Sequence, residues 1–325
     1  MFQDENKVFK RIPFTLRVCL LALIAYGLSS QVTAHPTSIA PHYVYLAQSL
    51  LHGHVDLIQL PPTTYDLLQY NGQWFVAGSP LPSILMLPFV AIFGVNFSDV
   101  LFSVVLGAMN VALVYALLDF FKNHGDTQVT EIHKSLSVLR ASVAISEATR
   151  RWLTLLFALG TPHWYLASLG SYWFAAHIVA IFFTLLAVRE ALTKQRWFLS
   201  GLWLACAGFA RPTVLALILF LLILIFDAVR NTQYATRSTR HILRRILPFA
   251  AAIIIGLGAH AVYNYARFHS FSDFGYSYVA GAQNITSVYA RYSGFNPRFL
   301  PCNLSIALIT PPEVNGQVPG FVTDA

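Results

Sequence analysis

Side chains able to do chemistry are few in this chain, and most of them fall between residues 32 and 97. That stretch holds four of the 11 histidines, His35, His42, His52 and His54, together with the carboxylates Asp56 and Asp66. It contains no Lys or Arg; after Arg17 the next cation is Lys122. A positioned loop carboxylate can take the proton of an attacking hydroxyl, which makes Asp56 and Asp66 the candidate bases. Each also reads as a solvated loop carboxylate with no function of its own. His42 and His52 are ten apart rather than four, so they do not form a helical ligand pair. They read as polar rings at an interface, with His42 a candidate substrate contact.

Further along, His177 follows Trp173 by one helical turn, inside an apolar run where a titratable ring turns toward other helices or a wet cavity. Arg211 interrupts the apolar run 197–229. A cation there costs roughly 2.5 kcal/mol or more at mid-membrane unless it reaches the surface or an anion. A lipid phosphate suits its planar fork, and snorkelling at a helix turn is the alternative. Arg267 is a similar candidate at the end of the next apolar run. Trp74 and Trp173, with Tyr70, Trp164 and Tyr172, can stack on sugars or form an interfacial belt. Asp99 reads as the N-cap of the helix that follows it.

The elements that must position these groups are membrane helices. Hydrophobic residues make up 56% of the chain and charged ones 11%, against about 25% charged in a soluble domain. Several runs are long enough to cross hydrocarbon, so the fold class is all-α and polytopic. The net charge of +7 comes from cations clustered beside apolar runs, which is a topology signal and excludes nucleic-acid binding. Cys19 and Cys206 lie in apolar runs, leaving no disulfide framework and no zinc spacing. Residues 7–34 have the layout of a secretory signal, but the many later spans favour an uncleaved first helix.

The pattern predicts a first span at 14–33. A surface helix follows at 41–52, with Tyr43, Leu46, Ala47, Leu50 and Leu51 on one face and that face down on the bilayer. The apolar run 81–95 is short for a span. Spans follow at 99–121, 152–169 and 172–192, then two helices meeting at Arg211-Pro212, then 246–266. Within 122–151, Ile132, Leu136, Leu139 and Val143 make a weaker surface stripe. If 81–95 lies along or dips into the outer leaflet, every basic cluster falls inside. Only Arg211, Arg267, Arg291 and Arg298 of the 21 Lys and Arg then lie elsewhere. This gives about seven spans, a cytoplasmic N-terminus and an outward-facing 34–97 loop. The expected units are 1–33, 34–97, 98–266 and a tail, 267–325.

Several segments together resemble one family. Tyr43 to Gly53 is similar to the first-loop surface helix of the glycosyltransferase C superfamily. Asn71-Gly72-Gln73-Trp74-Phe75 leading to Pro80-Leu81-Pro82 and Leu87-Pro88-Phe89 is similar to its aromatic, proline-rich approach to the next helix. Thr161-Pro162-His163-Trp164-Tyr165, Ser171-Tyr172-Trp173, Ala210-Arg211-Pro212 and Asn264-Tyr265-Ala266-Arg267-Phe268 extend the likeness over nearly the whole chain. It resembles bacterial polyprenyl- or dolichyl-phosphate-sugar transferases of the protein-mannosyltransferase type. The resemblance implies a lipid-linked sugar donor, an acceptor whose identity is open (glycan, lipid or protein), and a first-loop carboxylate acting as base or as ligand to a divalent metal. It also implies further spans beyond residue 325. The chain differs from the pattern at Ser38-Ile39-Ala40, where the family places an acid before the surface helix. It differs again at Gly78-Ser79, in place of a lysine, and at 170–176, where a second acid is lacking and His177 is the only titratable group nearby. A non-catalytic lipid-glycan binding or carrier protein of the same architecture is the alternative reading.

Overall fold

The computed structural model describes residues 13–30, 36–121, 145–230, 239–280, 291 and 296–309. The described residues are mostly helical: α1 (Phe14–Ser30), α2 (His42–Leu51), a hairpin of β1 (Leu67–Tyr70) and β2 (Gln73–Val76), α3 (Leu81–Phe93), α4 (Asp99–Leu118), α5 (Glu147–Leu159), α6 (Pro162–Leu169), α7 (Tyr172–Arg189), α8 (Trp197–Gly208), α9 (Ile218–Arg230), α10 (Thr239–Phe268) and α11 (Leu300–Leu308). Four stretches are long and apolar enough to cross a membrane: Asp99–Phe121, Tyr172–Lys194, Pro212–Val229 and His241–Phe268. Shorter apolar helices cover Phe14–Ser30, Leu81–Asn96 and Trp197–Gly208. The chain is a membrane-embedded helical protein. The stripe expected at Ile132, Leu136, Leu139 and Val143 lies outside the described residues.

One large apolar core joins α1, α4, α7, α8 and α9 through residues such as Tyr26, Val104, Ile178, Leu204 and Ile225. A polar cluster stitches its α1–α4–α6 side. Tyr26 Oη donates to the Ala158 carbonyl (2.8 Å) and lies 3.1 Å from His163 Nδ1, while Asn110 Nδ2 lies 3.3 Å from His163 Nε2. Because the Tyr26 hydroxyl proton is committed to a carbonyl, His163 must donate from Nδ1 and accept at Nε2. Asn110 Nδ2 also donates to the Ile178 carbonyl (3.1 Å), tying α4 to α7. Such bonds substitute for a hydrophobic driving force between helices already surrounded by lipid.

The structure corrects four expectations. The run 152–169 is not one helix: Gly160-Thr161-Pro162 ends α5, and Thr161 caps α6, accepting from His163 N. Asp99 is not a cap; Ser98 accepts from Leu101 N (3.0 Å) instead. The Asp99 carboxylate is buried and accepts from Ser38 N (2.8 Å) and Ser38 Oγ (2.5 Å), fixing the chain ahead of α2. Helix α2 does not lie on a bilayer surface. Tyr43, Leu46 and Ala47 pack inside a second core with Val76, Met86, Tyr172 and Ala176, and His42 and Ser49 on the opposite face are buried as well. The loop after α2 returns over that face, where Ser49 Oγ accepts from Ile58 N (3.1 Å). Finally, the first loop is not purely helical. Asn71 (φ 49°) and Gly72 (φ 80°) form the tight turn of the antiparallel hairpin, pairing Leu67 with Val76 and Tyr70 with Gln73.

At the end of α10 the chain turns back onto this hairpin. Leu68 pairs with Val279, Ala280 N donates to the Leu67 carbonyl (2.8 Å), and Phe268 packs between Leu68 and Phe75. The first stretch of the tail, 267–280, is therefore built into the first loop rather than set apart from it.

Candidate functional site

Arg211 owes its conformation to Pro212. A residue preceding proline is pushed out of the helical region, and Arg211 sits extended at φ −142°, ψ 103° between α8 and the 3-10 turn Pro212–Leu217. That break points the guanidinium across to the start of α7, where Nη2 donates to the Trp173 carbonyl. Trp173 in turn donates from its indole to Asp66 Oδ2 (2.9 Å), and Tyr172 Oη donates to the same oxygen (3.3 Å). Asp66 holds a left-handed backbone (φ 60°) at the entry to β1. Non-glycine residues in that region carry strain that surrounding contacts must offset. The two bonds to Oδ2 do so here, and Oδ1 accepts from no described group.

Arg267, in the last turn of α10, forms the other side. It is 4% exposed, lies 4.1 Å over the Tyr263 ring and 4.6 Å over Phe268, and donates to the Val76 carbonyl (3.0 Å) and Asn264 Oδ1 (2.9 Å). Both arginines leave a buried Nε without a hydrogen-bond partner. Neither is ion-paired to a carboxylate among the described residues.

Asp66, Trp173, Arg211 and Arg267 thus line one cleft of about 260 Å³, with Tyr43, Ser79, Tyr172 and Tyr276 completing its wall. Gly78 is required here: a Cβ at that position would collide with the Tyr43 hydroxyl. Burial raises the Tyr43 phenol, partly opposed by the two arginines, so it stays a neutral hydrogen-bond donor.

The other sequence candidates lie elsewhere. Asp56 is outside the cleft, 3.2 Å from His54 Nδ1 and accepting from Gln73 Nε2 (3.2 Å). Trp74 packs on the second core from β2. His42 sits behind the cleft wall, stacked on Tyr172 at 4.4 Å. Its Nε2 must carry the proton, because it meets the Thr63 carbonyl at 3.1 Å; Nδ1 is left buried and unpaired. Burial drives His42 down to about 4, against the opposing pull of the Thr63 carbonyl and Asp66. His177 is one turn beyond Trp173, on the outer surface of α7. Sequence reasoning missed Tyr43, counted there as part of an apolar stripe, and Tyr276, which carries no motif. Among the described residues no three His, Cys, Asp or Glu side chains converge as a metal cage.

The arrangement can hold an anion between two unneutralised guanidiniums and place a carboxylate oxygen beside it, at the end of a helix bundle. Comparisons with family models, with curated proteins and with solved structures find no match to this chain.

Proposed function

We propose that this chain is a membrane glycosyltransferase-like protein that moves a sugar from a polyprenyl-phosphate donor to an acceptor hydroxyl. The observation that carries the reading is the pairing of Arg211 and Arg267, unneutralised, in one cleft with Asp66. A buried Arg267 and a half-buried Arg211, neither ion-paired among the described residues, are costly until an anion arrives, and a phosphate offers each of them a two-oxygen contact. In transfer, Asp66 Oδ1 takes the acceptor proton as the acceptor oxygen bonds to the anomeric carbon. The bond from that carbon to the phosphate oxygen breaks, the phosphate keeps the electron pair, and the arginines offset its charge. Tyr172, Trp173 and Tyr276 offer ring faces and hydroxyls to the sugar.

In the accompanying topology the N-terminus is cytoplasmic and the cleft faces the outside of the cytoplasmic membrane. Seven spans are formed by α1, α4, α5 with α6, α7, α8, the 3-10 turn with α9, and α10. Helix α3, about 20 Å long by its residue count, dips into the outer leaflet.

A second reading, a non-catalytic lipid-glycan binding protein, is favoured by one observation: among the described residues Asp66 is the only carboxylate that lines the cleft. Transfer from radiolabelled polyprenyl-phosphate sugars and equilibrium binding of polyprenyl phosphate separate the two. On the enzyme reading, Asp66→Asn lowers transfer by about 100-fold or more while binding persists. Arg211→Lys loses the fork and weakens binding by about tenfold, and Arg211→Ala by more, as expected for charge-assisted hydrogen bonds. Binding without transfer in the unmodified protein establishes the second reading. Transfer that survives both Asp66→Asn and Arg211→Ala removes the site assignment.

A further inference from the structure

A second cavity, about 270 Å³, opens at the opposite end of the bundle between α1, α4 and α5. Its floor is buried and made of small or short side chains, Ala22, Val111 and Ala158. Leu21 and Leu155 rise beside it, both strongly exposed at the protein surface. The result is a slot open along the helix axes, about 12 Å deep from Arg151 to Leu159. Thr154, low in the slot, spends its hydroxyl on the Arg150 carbonyl (2.9 Å), so it does not make the interior polar.

The mouth of the slot is cationic. Arg151 lies over the Phe14 ring at 4.7 Å and meets Glu147 through Nε alone (3.1 Å), with its side chain half exposed. Its terminal amino groups have no partner among the described residues. Arg150 beside it is committed to Asp119 (2.8 Å), to Glu147 (3.4 Å) and to the Tyr115 carbonyl (3.0 Å).

We propose that this slot is a lipid site: it takes one acyl chain of an anionic glycerophospholipid, whose phosphate rests on Arg151. Two independent features select that occupant. The slot is apolar, long and narrow, the shape of a single alkyl chain, and among the described residues its free polar donors are the terminal amino groups of Arg151 at the mouth. Lipid tails and leucine side chains are equally apolar, so the chain by itself gives no preference for this slot over the bulk bilayer. Selectivity therefore rests on the headgroup, and on the topology proposed above the slot opens to the cytoplasmic leaflet, the one rich in anionic lipids. The site is separate from the cleft of Arg211 and Arg267 and stands whether or not that cleft transfers sugars.

The test uses the full chain reconstituted into bilayers containing phosphatidylglycerol with a photoactivatable diazirine in one acyl chain. Labelled positions are mapped by peptide mass spectrometry. The lipid-facing surface of α9, at Leu219, Ile223 and Phe226, is exposed to bulk lipid and serves as the internal reference. Expected is at least fivefold more labelling at 18–25 and 155–159 than on α9. The excess should fall severalfold with the matching phosphatidylcholine, and Arg151→Gln should abolish the difference between the two lipids. Ala158→Leu, which fills the floor, should remove the excess while labelling of α9 is unchanged. Equal labelling of slot and α9 overturns the site. An excess that ignores the headgroup in the unmodified protein overturns the assignment to an anionic lipid.

Discussion

Arg211 is turned toward the cleft by the residue after it, and the partners it meets are fixed by residues far from it in sequence. The proline was legible, and so was the cost of a cation in an apolar run. What no spacing revealed was Trp173, whose carbonyl accepts from Arg211 while its indole donates to Asp66. One tryptophan links three segments, a role that depends on tertiary placement alone. His42 illustrates the same limit from the other side. Its type suggested chemistry, but its stacking on Tyr172 and its bond to Thr63 make it a buried neutral ring. Burial lowers it to about 4 from an ordinary 6.5. The unfolded chain therefore binds more protons than the folded one between those values, and stability falls as pH drops through that window. His42 contributes fully above pH 6.5, and about 3 kcal/mol is lost by pH 4. Thermal unfolding in detergent should show that loss, and His42→Asn should remove this part of the pH dependence. Equal slopes in the two proteins would place the acid sensitivity in another group.

The elements were legible where periodicity is strong and length is decisive. Helices α1, α4, α7 and α10 begin or end close to the apolar runs that predicted them. The hairpin was not foreseen, although Asn71-Gly72 between Leu68 and Phe75 is the turn signal that announces one. In a chain this apolar, a four-residue strand gives no contrast with its surroundings. The break inside 152–169 escaped for a similar reason: Thr161-Pro162 is both a helix stop and a helix start, and only the turn geometry decides. Packing between elements then depends on single atoms. Gly170 sits at φ 68° between α6 and α7, and a Cβ there would lie 2.5 Å from Val100 Cα and 2.8 Å from its nitrogen. Backbone cannot swing away as a side chain can. Gly170→Ala should therefore cost about 1–3 kcal/mol from the backbone conformation alone, with the collision added. A lowered thermal midpoint in detergent is the expected result. An unchanged midpoint would mean that α4 and α7 can separate at no cost, contrary to the close approach described.

At the scale of the whole molecule, the alternation of helix directions brings distant chain segments to one end. The chain ahead of α2 is bonded to the start of α4 through Ser38 and Asp99, and Ala40 accepts from Tyr172 N (3.1 Å) at the start of α7. The α8–α9 junction reaches Trp173 through Arg211, and the end of α10 reaches β2 through Arg267. The opposite end holds Arg150 and Arg151, and the sequence puts Lys122, Lys134 and Arg140 in the segment between α4 and α5. Cations stay on the cytoplasmic side of a membrane, so the cleft end should face outward. Helix α3 decides the parity. At about 20 Å it is short of a hydrocarbon core of about 30 Å, and Ile92 and Phe93 near its end are exposed at the protein surface. Single cysteines introduced into a background with Cys19, Cys206 and Cys302 changed to Ser provide the test. A membrane-impermeant maleimide should label Gln59→Cys in intact cells, and Thr130→Cys only after the membrane is opened. If Thr130→Cys reacts from outside, α3 crosses and the segment between α4 and α5 lies outside. Labelling of Gln59→Cys only after opening would invert the molecule and put the Arg211–Arg267 cleft on the cytoplasmic face.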